Sequence, residues 1–290
     1  MTVSEFFQAV ATLAGLLFIV TSMLAMGMSL TMAQILDPLK NVRLVVLALL
    51  ANFVLVPLLA FAINRIIPLD QSLQVGLVVL GTAAGAPFLP KLVQGARGDI
   101  AFGVGLMTLL MVVTIFYLPI VLPLLLPGVE VVPWDIAKSL IVLMLIPLAI
   151  GLLFKSHSPD SAAQWQPVMN KISSLAILIL LVVGLGINLS AILDLIGSLG
   201  ILALLLFVAG SLAIGMLLGG RAAGIRNVMG LGTAQRNVSA AIVVSVQNFG
   251  GTNTISFVLV AAILMLLLLL PAARRMGARA PKAAAQDAKS

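Results

Sequence analysis

Apolar residues run in nine long blocks, separated by short breaks rich in charge, Gly, Pro, Ser or Asn. The blocks cover about 6–30, 41–64, 71–96, 99–126, 135–154, 167–188, 198–219, 224–249 and 253–272. Most hold the ~20 apolar residues that a helix needs to cross a bilayer, and the breaks leave no room for an inserted soluble domain. Two blocks differ from the rest. The third contains G-T-A-A-G-A-P-F-L-P-K from Gly81 to Lys91, where two prolines and two glycines break the helical hydrogen-bond ladder. The eighth contains G-L-G-T-A-Q-R-N-V-S from Gly230 to Ser239, polar where neighbouring blocks carry Leu and Val.

Composition fixes the solvent. Hydrophobic residues are 62% and charged residues 9% of 290, against about 45–50% and 25% in soluble domains. A soluble fold of this size cannot hide that much apolar surface. A water-soluble enzyme, a disordered chain and a disulfide scaffold are therefore excluded, the last because cysteine is absent. The chain reads as an all-α polytopic membrane protein. Its N-terminus lacks the basic stretch of a cleavable signal, and Glu5 leads directly into the first apolar block.

The net charge of +7 would point to nucleic acid in a soluble protein; here topology explains it. With the N-terminus outside, the inner loops and tail hold Lys40, Arg43, Arg97, Lys155, Lys171, Arg221, Arg226, Arg274, Arg275, Arg279, Lys282 and Lys289. The outer loops hold only Arg65 and Lys138. Positive residues stay inside, so the N-terminus is expected outside and the C-terminus in the cytoplasm of an inner or plasma membrane. An odd number of spans is required for this split. Residues 273–290 read as a basic cytoplasmic tail touching anionic lipid, and no nucleic acid is expected.

Interrupted spans at matching places in two halves point to a transporter site. Blocks one to four and six to nine each have a broken third member, and their odd offset makes them inverted repeats. The expected fold is about nine transmembrane helices in two inverted repeats, with two discontinuous helices crossing.

Two cations fall inside these broken blocks. Arg236 lies about ten residues, or about 15 Å, from either end of its block. At that depth it costs about 2.5–3.5 kcal/mol on insertion scales, so something must offset it. It is expected either to cap carbonyls of a broken helix or to line a substrate pathway. Lys91 is expected either to snorkel toward the interface or to join the crossing. None of the nine carboxylates, Glu5, Asp37, Asp70, Asp99, Glu130, Asp135, Asp160, Asp194 and Asp287, lies mid-block. Backbone carbonyls, water or a visiting anion must therefore meet the two positive charges, and an anionic substrate is expected. Gln235, Asn237 and Ser239 flank Arg236 and are expected to share its site. Asn52, with Pro57 in the same block, reads as an interhelical hydrogen bond or a site residue. Thr108 and Thr114 are expected to bond their own helix or face the site. Pro119 and Pro123 are expected to kink the fourth block.

Four stretches taken together resemble the bile acid:sodium symporter family of secondary transporters. They are M-L-A-M-G-M-S-L-T from Met23 to Thr31, Asn52 to Pro57, G-A-P-F-L-P-K-L-V-Q-G-A-R-G-D-I-A from Gly85 to Ala101, and Q-R-N-V-S-A-A from Gln235 to Ala241. The resemblance implies a core of blocks within 41–126 and 198–272 and a smaller panel of 6–30 and 135–188, together one transporter domain over 1–272. Substrate would bind between core and panel and meet each side in turn. The resemblance also places sodium ligands at Leu89, Pro90, Gly103, Met107 and near Leu231, where this chain has no oxygen-bearing side chain. Only Gln235 and Asn52 keep one. Coupling through the usual two sodium sites is therefore not expected, and no cofactor is.

The expectation is a secondary transporter of a small organic anion, using Lys91, Arg236, Gln235, Asn237, Ser239, Asn52, Pro90 and Thr108 to bind it. Lys91 and Arg236 would stand in electrostatically for bound sodium. Uniport, exchange and a proton link through Lys91 stay open as modes, as does a homodimer. The alternatives are a sodium- or proton-coupled carrier or metalloid efflux permease of the same architecture, then an anion channel. An intramembrane enzyme has no support, because the single histidine, His157, sits in a loop and no catalytic set lies within the blocks.

Overall fold

The computed structural model describes residues 3–31, 33, 37–126, 132–187, 195 and 198–279. Among these, Glu130, Asp194, Lys282, Asp287, Lys289 and the tail beyond 279 are not included. Every long regular element described is a helix. In chain order these are α1 Val3–Ser29, α2 Val42–Ile66, α3 Gln71–Thr82, α4 Leu89–Gly95, α5 Ile100–Leu125, α6 Pro133–His157, α7 Pro159–Ile187, α8 Gly200–Leu218, α9 Ala223–Ala234, α10 Val238–Asn248 and α11 Thr254–Arg279.

Six of them, α1, α2, α5, α6, α8 and α11, are long and apolar enough to cross a membrane. The third expected block is two helices, α3 and α4, and the eighth is α9 and α10. Hydropathy misjudges some helix ends. α7 begins at Pro159, eight residues before the apolar block, because Pro at a first turn and Asp160 beside the positive helix end favour a start there. α11 runs seven residues past the expected end of its block and carries Arg274, Arg275 and Arg279 on its final turns. α5 continues through both Pro119 and Pro123.

The helices pack as two groups. α1 lies along both α6 and α7. Gly27 of α1 and Gly151 of α6 face each other so closely that a Cβ on either would strike the partner's backbone. The other group gathers α2 to α5 and α8 to α11. In it α2 packs on α3 and α8 on α9, while α4 packs on α5 and α10 on α11. The same neighbour relations thus recur in both halves of the chain. α6 joins the groups by touching α5 and α10.

The turn between α4 and α5 shows why R-G-D stands there. Arg97 takes the left-handed conformation, φ 49°, and Gly98 N–H returns to Val93 C=O at 3.0 Å, which closes α4. Asp99 then accepts Phe102 N–H at 2.9 Å and opens α5.

Candidate functional site

The two breaks meet. Residues 83–88 separate α3 from α4, and residues 235–237 separate α9 from α10. A backbone bond joins them directly, Asn237 N–H to Ala83 C=O at 2.9 Å. α3 packs on α10 and α4 on α9, so the broken helices cross at their interruptions.

The first break is met by backbone and one hydroxyl. Thr114 Oγ1 on α5 donates to Ala84 C=O and accepts Ala84 N–H, both at 3.0 Å. Gly85, φ 80°, brings the chain against the Met111 backbone, where a Cβ has no room. The expectation that Thr114 would bond its own helix is therefore corrected: an unpaired peptide group two segments away is the stronger partner.

The second break is organised by Arg236, whose side chain is wholly enclosed at 0% exposure. Nε donates to Leu80 C=O at 2.9 Å and Nη2 to Gly81 C=O at 2.8 Å, both at the C-terminus of α3. Nη1 donates to Thr233 C=O at 3.1 Å, at the C-terminus of α9, and to Asn52 Oδ1 at 2.7 Å, on α2. Two half-helix C-termini, each carrying about half a negative charge, therefore converge on one guanidinium. Of the two roles expected for Arg236, carbonyl capping is the one observed in this conformation. The planar fork explains why arginine can reach several acceptors at once.

Asn52 is equally enclosed and completes the junction. Its amide donates to Ala48 C=O at 3.0 Å and Thr233 Oγ1 at 3.3 Å. It sits in a π-helical turn, Ala51–Leu55, just before Pro57. Pro57 has no N–H for the Phe53 carbonyl one turn back, and Tyr117 Oη on α5 supplies it at 2.7 Å. Sequence reasoning missed Tyr117 and Thr233. The missing proline donor was the signal for the first; nothing local signals the second.

The other expected site residues divide. Gln235, Asn237 and Ser239 are buried beside Arg236. Asn237 Oδ1 caps α10 by accepting Ala240 N–H at 3.1 Å. Its Nδ2 and the Oε1 of Gln235 are buried without a hydrogen-bond partner. Thr108 is buried and bonds its own helix at Val104 C=O, 2.9 Å, as a hydroxyl in reach of the carbonyl four residues back does. Lys91 does not join the crossing. It is exposed on the first turn of α4, with Nζ 5.7 Å from the centre of the Phe88 ring, and Pro90 beside it is half-buried. Helix α4 turns that side chain away from the junction.

Of the positions that the family resemblance assigns to sodium ligands, all but the half-buried Pro90 are packed in apolar surroundings. Leu89, Met107 and Leu231 are buried, and Leu89 and Leu106 lie against Gly232.

A cleft of about 690 Å³ opens away from the crossing, lined by Asp37, Lys40, Asn41, Asp99, Phe102 and Ile225. Among the described residues it holds the exposed Lys40–Asp37 ion pair at 2.7 Å.

The sequence pattern of the Sodium Bile acid symporter family matches residues 16–195, more than half of the chain. The chain belongs to that family. It is also similar to a probable sodium/metabolite cotransporter, BASS3, chloroplastic, of Oryza sativa subsp. japonica, with 25% identity over 196 residues. Those residues are 67% of this chain and 46% of the relative, so the chain spans about half of that relative's length. Family membership makes this a multi-pass membrane protein of a transporter family.

Proposed function

We propose that the chain is a secondary transporter that moves a small organic anion by alternating access. The helices α1, α6 and α7 would form a panel, and the crossed group would form the core that moves against it. One observation carries this reading: two interrupted helices meet inside the helix bundle, joined through Asn237 N–H and Ala83 C=O. A bilayer tolerates broken backbone only where protein encloses it or it lines a cavity, and such crossings are where carriers bind substrate. The repeated neighbour relations in the two halves support an inverted repeat.

The burial of Arg236 changes how the anion would be held. Its charge is matched by two helix C-termini, so it does not serve as the contact. Lys91, exposed two residues into α4, supplies the positive side chain, with Pro90 beside it. The unpaired Asn237 Nδ2 and the N-terminus of α10 supply donors when the core opens, with Ser239 and Gln235 next to them. Asn52 and Arg236 hold the crossing in place. The orientation is N-terminus out and C-terminus in, following the loop cations. Exposed Trp134 at the start of the spanning α6 and Trp165 in the second turn of α7, beyond the other end of α6, fit the two head-group levels.

A thermal-shift screen of small carboxylates and sulfated acids on purified protein tests this reading. The expected result is a stabilising anion whose effect Lys91→Gln and Asn237→Ala both weaken. Reconstituted flux of that anion should saturate. Flux that rises linearly without limit would instead indicate a pore.

A further inference from the structure

Carriers built on broken helices hold their coupling cation with unwound carbonyls and half-helix C-terminal ends. In this chain four such acceptors are already occupied. Leu80 and Gly81 at the end of α3, Thr233 at the end of α9 and the Asn52 amide oxygen all accept from the Arg236 side chain, at 2.7–3.1 Å. The guanidinium is fully enclosed, and arginine keeps its proton at physiological pH. Among the described carboxylates none competes for it: Asp37, Asp70, Asp99, Asp135 and Asp160 are all exposed.

We infer that Arg236 is a built-in cation, occupying the place of a coupling ion, and that the protein works without binding sodium. The inference rests on the transporter reading above, and adds to it the absence of a sodium-driven step. A mobile cation ties the two half-helices to the core only when it is loaded. The guanidinium ties them permanently, so the junction is complete before substrate arrives. The same fixed charge returns with the core in every cycle, so the net charge moved is that of the substrate alone. Across a membrane negative inside, uncoupled movement of a monovalent anion then runs outward. A potential of 100 mV sustains about a 50-fold gradient in that direction. Export, or exchange of one anion for another, follows for a chain of this design.

Sodium itself is the probe that tests the inference, and no substrate is needed. The purified protein is melted in sodium chloride and in choline chloride, and saturable binding of radiolabelled sodium is measured alongside. Wild type should melt at the same temperature in both salts and bind no sodium saturably. Arg236→Ala leaves four oxygen acceptors facing a cavity, so this variant should melt lower and be stabilised by sodium but not by choline. Saturable sodium binding by wild type overturns the inference, as does a folded Arg236→Ala protein indifferent to sodium. If Arg236→Ala does not fold, the wild-type measurement still decides. Failure of the anion screen would count against the transporter reading and leave these sodium results standing.

Discussion

The two breaks that meet at the centre of this protein solve the same problem with different materials. Both must satisfy peptide groups stripped of their helical partners in a setting without bulk water. The first break has no charged or amide side chain of its own between Ala83 and Phe88. It relies on the conformation of Gly85, on Thr114 from α5 and on donors sent from elsewhere. The second break brings Gln235, Arg236 and Asn237, and one of these caps both C-terminal half-helices. The halves share a layout while the charge resides in one of them. A single guanidinium suffices because the two helix ends face each other across it. A second cation at the first break would have no negative end left to neutralise it. Lys91, the other cation of the broken spans, accordingly points out to the surface.

This asymmetry can be broken in graded steps. Arg236→Ala should have the largest effect, about 3–5 kcal/mol of stability, because it orphans buried acceptors on three helices. Thermal or denaturant unfolding in detergent would read it, and a change below about 1 kcal/mol would mean that water replaces the side chain freely. Asn52→Ala should cost about 1.5–3 kcal/mol, since it takes one acceptor from a buried charge and leaves the rest. Gly85→Ala tests the first break. It should cost about 1–3 kcal/mol, from a strained left-handed residue pressed on the Met111 backbone. Tyr117→Phe, which frees only the Phe53 carbonyl at a half-buried site, should cost about 1 kcal/mol. Lys91→Gln should be the mildest, within about 0.5 kcal/mol of wild type. It should nonetheless reduce stabilisation by the anion found in the screen. A stable Lys91→Gln protein with unchanged anion response would remove Lys91 from the site and leave the crossing intact.

Much of this was readable along the chain. The helical class and the two interruptions follow from runs of apolar residues and from Gly and Pro where a helix cannot continue. The burial of Arg236 followed from its distance to either end of its block, and carbonyl capping was one of two roles that depth allowed. Other features were not readable. Thr108 and Thr114 are the same residue type six positions apart on one helix, yet one bonds its own backbone and the other bridges to Ala84. Helix phase and neighbour, which depend on packing, separate them. Lys91 was left between two fates, reaching toward the interface or joining the crossing, and only the direction of a seven-residue helix decided that it points out to the surface.

Sequence alone determined the solvent, the helices and where they break, because each depends on local chemistry: hydropathy over a span, and the backbone freedom of glycine and proline. Tertiary structure alone decided which acceptors the buried arginine meets. Leu80, Gly81 and Asn52 lie more than 150 positions from Arg236 in the chain. Only the crossing of two interrupted helices beside α2 brings their oxygens within hydrogen-bond reach of a single guanidinium.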